Sequence, residues 1–417
     1  MNLNTPAFDE QRLNNIKQSA QAVMKKIKDK SIDLSAVDSG FSSKDVNSLW
    51  YAAEQFVDKL ADIAYFNHQL TDYENQLGIN LGSWKHSLRL CPWGDILVTI
   101  PSNAVIPLSI ILPIALIASN NRITVVVSSI TRKSGHYILE SLKEVFPNSL
   151  VIYQGSVREA IQELIVPNSH IDCLYYIGGS AAYKDIASRC AENGVALIYE
   201  GEGRSIALID ENMERLELTT IAKNIIKAKV FCNGCMCSAP NVGLIPSSSF
   251  DYFKDTFRQL CLEYAKQHSQ NKKLSENQIR RIKDCDSSIG SSSRIACHFD
   301  LSESLPFFWE SEHKRALEVK ELFSPGIILA EYPDFKEIVE TIRSQKFRLQ
   351  VSFFTHSETH FNNLLETTGF ARYCVNMNPA LQDPLFPWGN YGLSGYSDVI
   401  DFYRKGMRRV IIENSSI

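Results

Sequence analysis

The chain has 417 residues, of which 44% are hydrophobic and 22% are charged, and its formal net charge is -4. This length allows two or three domains with well-buried cores, and the composition is typical of a globular protein. No run of basic residues suits nucleic acid or an anionic membrane surface. We therefore expect small-molecule or protein partners, and no nucleic acid.

The ten cysteines are irregularly spaced, and the first residues lack a basic region followed by an apolar one. We expect reduced thiols and a cytoplasmic protein. Residues 96–121 carry no charge, but Pro101, Pro107 and Pro113 interrupt them. This pattern predicts a buried strand followed by a buried helix, and no membrane span.

Residues 8–30 and 44–77 carry apolar side chains at helical spacing. They predict two opening helices, with Ser42 and Ser43 placed to cap the second. Short β-rich runs then alternate with helix-like segments, which predicts a parallel sheet with helices on both faces. These runs are Ile96–Ile100, Ile123–Val127, Leu150–Tyr153, Cys173–Ile177 and Val195–Tyr199.

A second alternating set begins after residue 205 and predicts a second α/β domain. Its strands are Ile206–Ile209, Val242–Ile245, Ile327–Ala330 and Leu349–Phe353, with helices near 215–229, 250–268, 312–322 and 335–346. The polar segment Gln270–Ser293 is interpreted as a surface excursion. Residues Arg408–Asn414 indicate an exposed strand in need of a partner, which another chain often provides.

Three cysteines, Cys232, Cys235 and Cys237, follow Glu200 along the chain. A thiol and a carboxylate suggest covalent catalysis, provided that the fold favours the thiolate of a cysteine whose ordinary pKa is about 8.5. The trio could instead bind zinc together with Cys297 and His298. It lacks the second pair of ligands typical of a structural zinc site, so we expect no metal.

Four separated blocks resemble motifs of the aldehyde dehydrogenase superfamily, in the order in which that family has them. The first, Pro92–Asn103, is similar to P-x-G-x-x-x-x-I-x-P-W-N. The second, Ile177–Tyr183, is similar to the F-T-G-S turn, in which helix N-terminal amides face the cofactor pyrophosphate. The first block has Ser102 where the family has tryptophan.

The third block comprises Glu200–Ser205, similar to E-L-G-G-K-S, and Gly234–Ala239, similar to G-Q-x-C-x-A. The fourth comprises Glu321–Pro325, similar to E-x-F-G-P, and Pro387–Gly395, similar to P-F-G-G-x-K-x-S-G with Gly392 in place of the lysine. Altogether the resemblance covers about residues 84–395.

The resemblance implies that Cys237 is the nucleophile, Glu200 the general base and Asn103 a donor to the oxyanion. It implies NAD or NADP as cofactor, with five matching binding positions: Gly179, Ser180, Glu321, Phe323 and Ser128. An aldehyde would add to Cys237 and lose hydride to the nicotinamide. Water deprotonated by Glu200 would then hydrolyse the thioester to a carboxylate.

Two other functions stay open. The same thioester could form from acyl-coenzyme A, an acyl carrier protein or an acyl phosphate and be reduced to an aldehyde. The chain could also be a scaffold that catalyses no reaction, because residues near the cofactor positions differ from the family pattern. Ser128 stands where the family usually has a lysine, and Tyr183 where it often has a glycine. Each residue also has a plain structural interpretation: Asn103 as a helix cap, Cys237 as a buried apolar residue, and Glu200, Glu202 and Glu321 as solvated carboxylates.

The resemblance implies two doubly wound, Rossmann-like α/β domains and a small oligomerisation arm. We assign residues 1–82 and 97–205 to the nicotinamide cofactor-binding domain and 206–390 to the catalytic domain. Residues 83–96 and 396–417 form the predicted arm, which implies a homodimer. The active site is expected in the cleft between the domains, which join near Glu200–Ser205.

Overall fold

The computed structural model describes residues 9–76, 84–268, 274–289, 294–295, 304–380 and 406–415. The helices are α1 (Glu10–Ser39), α2 (Ser43–Asp58), α3 (Leu60–Gln76), α4 (Val105–Ala118), α5 (Arg132–Lys143), α6 (Val157–Leu164), α7 (Tyr183–Glu192), α8 (Arg215–Val230), α9 (Phe250–His268), α10 (Glu276–Ile289), α11 (His313–Glu318), α12 (Phe335–Arg343) and α13 (Glu358–Thr368). The strands are β1 (Trp84–Pro92), β2 (Asp95–Ile100), β3 (Arg122–Val127), β4 (Leu150–Ile152), β5 (Cys173–Ile177), β6 (Ala196–Glu200), β7 (Ile206–Ile209), β8 (Val242–Pro246), β9 (Arg294–Ile295), β10 (Phe307–Glu310), β11 (Gly326–Tyr332), β12 (Gln350–Phe354), β13 (Arg372–Val375) and β14 (Met407–Ser415). Four short 3-10 turns span Ser102–Ala104, Ser129–Thr131, Ser180–Ala182 and Phe231–Gly234.

The opening helices begin and end at capping residues that the sequence supplies. Asp9 accepts a hydrogen bond from the Arg12 amide at 2.9 Å, and Gly40 ends α1 with a φ of 72°, a conformation that glycine adopts without strain. Ser42 caps α2 by accepting from the Asp45 amide at 3.1 Å. The prediction of a single helix over 44–77 is wrong. The chain leaves helical geometry at Lys59, and α3 begins at the next residue.

The first sheet has five parallel strands in the order β4-β3-β2-β5-β6. Alternate residues of the central strand face opposite sides. Ile96 and Val98 pack into a core with α1, α4 and α5. Leu97 packs into a second core, with α6 and α7. Helices therefore cover both faces, as the continuous apolar strands predicted.

The second sheet has seven strands in the order β13-β12-β7-β8-β11-β10-β9, with β9 antiparallel to its neighbour. Ile206 and Leu208 of β7 face a core that includes α10, α12 and α13. Ala207 and Ile209 face the other core, with α8 and α9. The predicted pair of doubly wound α/β sheets is confirmed.

One sequence interpretation is wrong in this part of the molecule, and a predicted terminal strand has its partner within the chain. The segment interpreted as a surface excursion contains α10, which buries Gln278, Ile282, Cys285 and Ile289 on one face. The terminal strand finds the partner that it was predicted to need within the chain, because β14 pairs antiparallel with β1 from Trp84 opposite Ser415 to Pro92 opposite Met407. Strand β2 begins at Asp95, so it includes two residues that the predicted division places in the arm.

The uncharged stretch after residue 95 folds as a strand and a helix, as predicted. Helix α4 has 14 residues and is almost entirely buried. Across the described residues, no helix combines the length and the apolar character needed to cross a membrane.

Candidate active site

The carboxyl edge of the five-stranded sheet carries several of the predicted site residues. Asn103 follows β2, Ser128 follows β3, Gly179 follows β5, and Glu200 is the last residue of β6. The strands are parallel, so these residues lie along one edge. The strand order reverses between β2 and β5, and ligands of open α/β sheets bind outside the carboxyl ends at such a point.

The loop that carries the cysteines follows α8 and has a constrained backbone. Cys232 and Asn233 have φ values of 48° and 54°, in the left-handed region that costs free energy for residues other than glycine. The buried Asn233 side chain donates to the Gly40 carbonyl at 2.9 Å and accepts from Ser304 Oγ at 2.8 Å. These contacts hold the loop in one conformation.

The three cysteines of this loop differ in their surroundings. Cys232 is completely buried and Cys235 is 9% exposed, whereas Cys237 is half-buried. Gln278 Nε2 donates to Cys235 Sγ at 3.2 Å and to the Phe323 carbonyl at 3.1 Å. Cys235 is therefore enclosed by polar contacts, and Cys237 is the most accessible thiol of the three.

Lys229, at the end of α8, is buried close to this loop. Burial lowers the pKa of its amine to about 8, against the opposing influence of Cys235 and Glu321. Within the described part of the chain, its Nζ has no hydrogen-bond partner. The helix therefore places an amine beneath the cysteine loop in surroundings that favour its neutral form more than water does.

The surroundings of the Cys237 thiol raise its pKa. Burial is the main influence and raises its pKa to about 12, and the carboxylates of Glu321 and Glu200 raise it further. The backbone N–H groups of Cys237 and Ser238 act in the opposite direction. Glu321 and Glu200 belong to different elements, and both influence the pKa of the Cys237 thiol.

The Asn103 amide contacts the cysteine loop directly. Asn103 Nδ2 donates to the Cys235 carbonyl at 3.0 Å. The 3-10 turn that contains it has no side-chain cap, so the interpretation of Asn103 as a helix cap is wrong. The hydrogen bond brings the edge of the first sheet to the loop that precedes β8 of the second.

Gly203 lies where the Cys237 carbonyl and the Glu321 carboxylate come close to the backbone. Its N–H donates to Glu321 Oε1 at 3.2 Å. A Cβ at this position would lie 2.7 Å from the Cys237 carbonyl oxygen and 3.1 Å from Glu321 Oε1. Ser205 Oγ also donates to the Cys237 carbonyl, at 2.7 Å. The linker between β6 and β7 therefore joins the cysteine loop to Glu321.

Glu321 is not a solvated charge, because its residue is only 5% exposed. Burial raises its pKa to about 7, and the nearby Glu202 adds to the rise. The Gly203 N–H and the guanidinium groups of Arg281 and Arg204 oppose it. A carboxyl group with this pKa exchanges protons near neutral pH.

Glu200 and Glu202 have different partners. Tyr175 Oη donates to Glu200 Oε1 at 2.6 Å. Ser180 Oγ donates to Glu202 Oε1 at 2.6 Å, and Arg204 Nη2 donates to Glu202 Oε2 at 3.0 Å. Burial alone would raise the pKa of Glu202, but its Ser180 and Arg204 partners outweigh burial and lower it. Both carboxylates are thus held by specific donors.

The other predicted cofactor positions are placed as follows. Gly179 is exposed before the 3-10 turn at α7, and a Cβ added there would meet no atom within 4 Å. Ser128 accepts from the Ile130 amide of its own turn at 3.4 Å. Phe323 has a φ of 42°, and the Arg281 guanidinium lies 4.9 Å from its ring centroid. Ser128 thus makes a local contact, whereas Phe323 packs beside the cysteine loop.

Some of the predicted features lie outside the described residues. They include Pro387–Gly395 with Gly392, and the proposed zinc partners Cys297 and His298. Among the residues whose placement is described, no group of three or more His, Cys, Asp or Glu side chains is arranged to hold a metal ion.

Sequence reasoning missed Gln278 and Tyr175, which hold Cys235 and Glu200. The apolar positions of α10 do recur at helical spacing after Gln278, and this signal was available in a segment dominated by polar residues. Tyr175 lies within a predicted strand, and no local pattern marks its hydroxyl group as a partner of Glu200.

The fold has two α/β sheets, and the loop that carries the half-buried Cys237 contacts Asn103 from the first sheet. Residues 8–287, more than half of the chain, match the model of the aldehyde dehydrogenase family, and the chain belongs to that family. A probable coniferyl aldehyde dehydrogenase of Pseudomonas aeruginosa is 22% identical over 325 residues, which cover 73% of this chain and 65% of that protein. The alignment thus spans slightly less than two thirds of the relative's length.

Solved structures show the same fold at low sequence identity. An oxidoreductase from Marinobacter aquaeolei has a TM-score of 0.82 at 13% identity, covering 99% of this chain and 87% of that chain. A 1-pyrroline-5-carboxylate dehydrogenase from Thermus, solved with bound NAD, has a TM-score of 0.79 at 14% identity, covering 97% of this chain and 82% of that one. These likenesses show the fold alone.

Proposed function

We propose that this chain is an oxidoreductase that converts an aldehyde into a carboxylate with NAD or NADP, through a thioester on Cys237. The main support is geometric: Asn103 Nδ2 donates to the Cys235 carbonyl at 3.0 Å, Ser205 Oγ donates to the Cys237 carbonyl at 2.7 Å, and the Gly203 N–H donates to Glu321 Oε1 at 3.2 Å. Membership of the aldehyde dehydrogenase family supports the same chemistry. The most accessible cysteine of its loop is the one that the family motif assigns as nucleophile.

The described residues fit a dinucleotide cofactor at the turn before α7. The space beside Gly179 is open, and backbone amides at the start of a helix bind phosphate. We propose that Gly179 and Ser180 hold the pyrophosphate, Glu321 and Phe323 the nicotinamide ribose, and Ser128 the adenosine part. When bound, NAD or NADP accepts the hydride that leaves the aldehyde carbon.

The residues of the chain carry the remaining steps. Cys237 Sγ forms a bond to the aldehyde carbon, and the thiol proton passes to a neighbouring base, for which Glu200 and Glu321 are the available carboxylates. The carbonyl oxygen becomes an oxyanion that accepts from an Asn103 amide N–H and the Cys237 backbone N–H. Such donors contribute about 3 kcal/mol each in the transition state.

The second half of the reaction frees the enzyme. Once the carbon has lost hydride, the acyl group is a thioester on Cys237. Glu200 takes a proton from water, the hydroxide adds to the acyl carbon, and the carbon–sulfur bond breaks to give the carboxylate and the cysteine. This step requires Glu200 to reach a water molecule near the acyl carbon.

One contact supports a second candidate function, the reduction of an activated acyl group to an aldehyde. Tyr175 Oη holds Glu200 Oε1 at 2.6 Å. A carboxylate held in place in this way is less able to swing toward a water molecule, so a thioester would survive longer. Acyl-coenzyme A, an acyl carrier protein or an acyl phosphate would load Cys237, with reduced NAD or NADP as the hydride donor.

The absorbance of the reduced nicotinamide distinguishes these functions. The protein is assayed with aldehydes plus NAD or NADP, and separately with acyl-coenzyme A plus the reduced cofactors. We expect the oxidative assay to respond and Cys237→Ala to abolish it, while Cys232→Ala, which changes a completely buried thiol, retains turnover. Activity only in the reductive assay would replace the first candidate by the second. Failure of NAD and NADP to bind in a titration would indicate a scaffold.

We also propose that residues 1–82 and 97–205 form the cofactor domain and 206–390 the catalytic domain. The two parallel sheets, which lie on either side of Ser205, support this division. Residues 83–96 and 396–417 are proposed as a dimerisation arm, supported by the separate two-stranded sheet of β1 and β14. The mass of the protein in solution tests the homodimer.

A further inference from the structure

A carboxylate of this chain occupies the turn where the cofactor pyrophosphate is proposed to bind. Glu202 Oε1 accepts from Ser180 Oγ at 2.6 Å. The Ser180 backbone N–H also acts on this carboxylate and helps to lower its pKa. Ser180 thus directs donors toward an internal anion at the beginning of the 3-10 turn and helix α7.

The same carboxylate forms a salt bridge with Arg204. Arg204 Nη2 and Nε donate to Glu202 Oε2 at 3.0 Å and 3.1 Å. The Arg204 guanidinium lies 4.1 Å from the centroid of the Phe347 ring, and both charged side chains are 19% exposed. Little solvent screens this pair, so removing one of its two charges changes the electrostatic potential at the turn strongly.

We infer that Glu202 competes with the cofactor pyrophosphate for Ser180 and Arg204, so that dinucleotide binding exchanges one anion for the other. This inference rests on the proposed function. A pyrophosphate and a carboxylate cannot both accept from Ser180 Oγ–H, because a hydroxyl group has a single donor hydrogen. Arg204 then contacts the phosphate in place of Glu202. The glutamate lowers the affinity for both dinucleotides and keeps Ser180 and Arg204 occupied in their absence.

The dissociation constants of NAD and NADP, measured by calorimetry, test this exchange. Glu202→Gln keeps an acceptor oxygen for Ser180 but removes the negative charge. We expect both constants to fall by about tenfold at low salt, as expected for removing one nearby like charge. The factor should be the same for NAD and NADP, because they share the pyrophosphate, and it should shrink as salt rises.

The C-terminal end of α7, the helix that follows Ser180, provides a matched control. Glu192 is exposed and accepts from Ser188 Oγ at 2.8 Å, so Glu192→Gln makes the same change of charge at a similar serine–glutamate contact. We expect no change in either dissociation constant. Thermal unfolding of each variant verifies its fold, and Glu202→Ala provides a second removal of the charge.

Arg204 gives an independent measure of the exchange. If its guanidinium passes to the phosphate, the gain from Glu202→Gln should shrink in an Arg204→Gln background. An equal gain in both backgrounds would overturn the exchange of Arg204. If the wild type binds and the folded Glu202 variants bind no more tightly, the inference alone is wrong. If neither the wild type nor Glu202→Gln binds either dinucleotide, the proposed function fails as well.

Discussion

The side-chain amide of Asn103 and the backbone carbonyl of Cys235 form a hydrogen bond of 3.0 Å that joins the two sheets at the candidate active site. Asn103 follows the central strand of the first sheet, and Cys235 precedes Cys237 by two residues in the loop before β8. The contact therefore restrains the loop that carries Cys237.

Replacing Asn103 by alanine should reduce kcat by about a hundredfold to a thousandfold, the usual effect of losing one oxyanion donor. KM for the aldehyde should change little, because the donor acts mainly in the transition state. Steady-state kinetics measures both constants. Ser102→Ala, at the neighbouring position, serves as the control. A raised KM with an unchanged kcat would mean that Asn103 binds substrate without stabilising the oxyanion.

The free energy of unfolding should fall between about pH 4.5 and pH 7 because of Glu321. Burial raises the pKa of this carboxyl group to about 7 from an ordinary value of 4.5. The folded protein therefore holds a proton that the unfolded chain has already lost, and the stabilisation present below the unfolded pKa disappears as pH rises through the folded pKa. The full difference is about 3 kcal/mol.

Urea unfolding at pH 5 and pH 8 measures this contribution. The same measurement on Glu321→Gln gives the pH dependence that comes from all other groups, because the amide does not titrate. The difference between the two proteins is the contribution of Glu321. Glu318→Gln changes an exposed carboxylate three residues earlier and should leave the pH dependence close to that of the wild type. An identical pH dependence in the wild type and Glu321→Gln would refute the assignment.

Gly203→Ala should destabilise the protein by about 2 kcal/mol, in the range typical of overpacking. The added Cβ would lie 2.7 Å from the Cys237 carbonyl and 2.9 Å from Leu349 Cδ2, so the nucleophile loop must shift and turnover should fall. Thermal unfolding and initial rates measure the two effects. Gly179→Ala adds a methyl group where no atom lies within 4 Å, and its melting temperature should match that of the wild type.

Gln278→Leu should lower the free energy of unfolding by about 2 to 4 kcal/mol. The buried amide donates to Cys235 Sγ and to the carbonyls of Asn233 and Phe323, and leucine would leave these acceptors without a donor. Denaturant unfolding measures the loss. Asn277→Ala, at the adjacent half-buried position, should cost less than about 0.5 kcal/mol. Equal losses in the two variants would show that the Gln278 hydrogen bonds contribute little.

Strands with continuous apolar runs were predicted well. Strand β7 spans Ile206–Ile209 as expected, and β2 differs from its prediction by one residue. Such strands are buried on both faces, so their composition alone identifies them. Helix α10 was missed because its polar residues dominate the composition, although Gln278 and Ile282 lie on its buried face. The catalytic and cofactor roles assigned by motif remain predictions.

The sequence by itself determined the alternation of apolar strands and helices that builds two α/β sheets, and it contains the family motifs that single out Cys237, Glu200 and Asn103 as candidates. Apolar periodicity and motif spacing are local properties, which a linear sequence contains. Only the tertiary structure decided that Glu321 is buried beside Gly203, that Glu202 accepts from Ser180, and that burial raises the pKa of the Cys237 thiol. Burial and charge proximity depend on groups far apart in the chain, and folding alone brings these together.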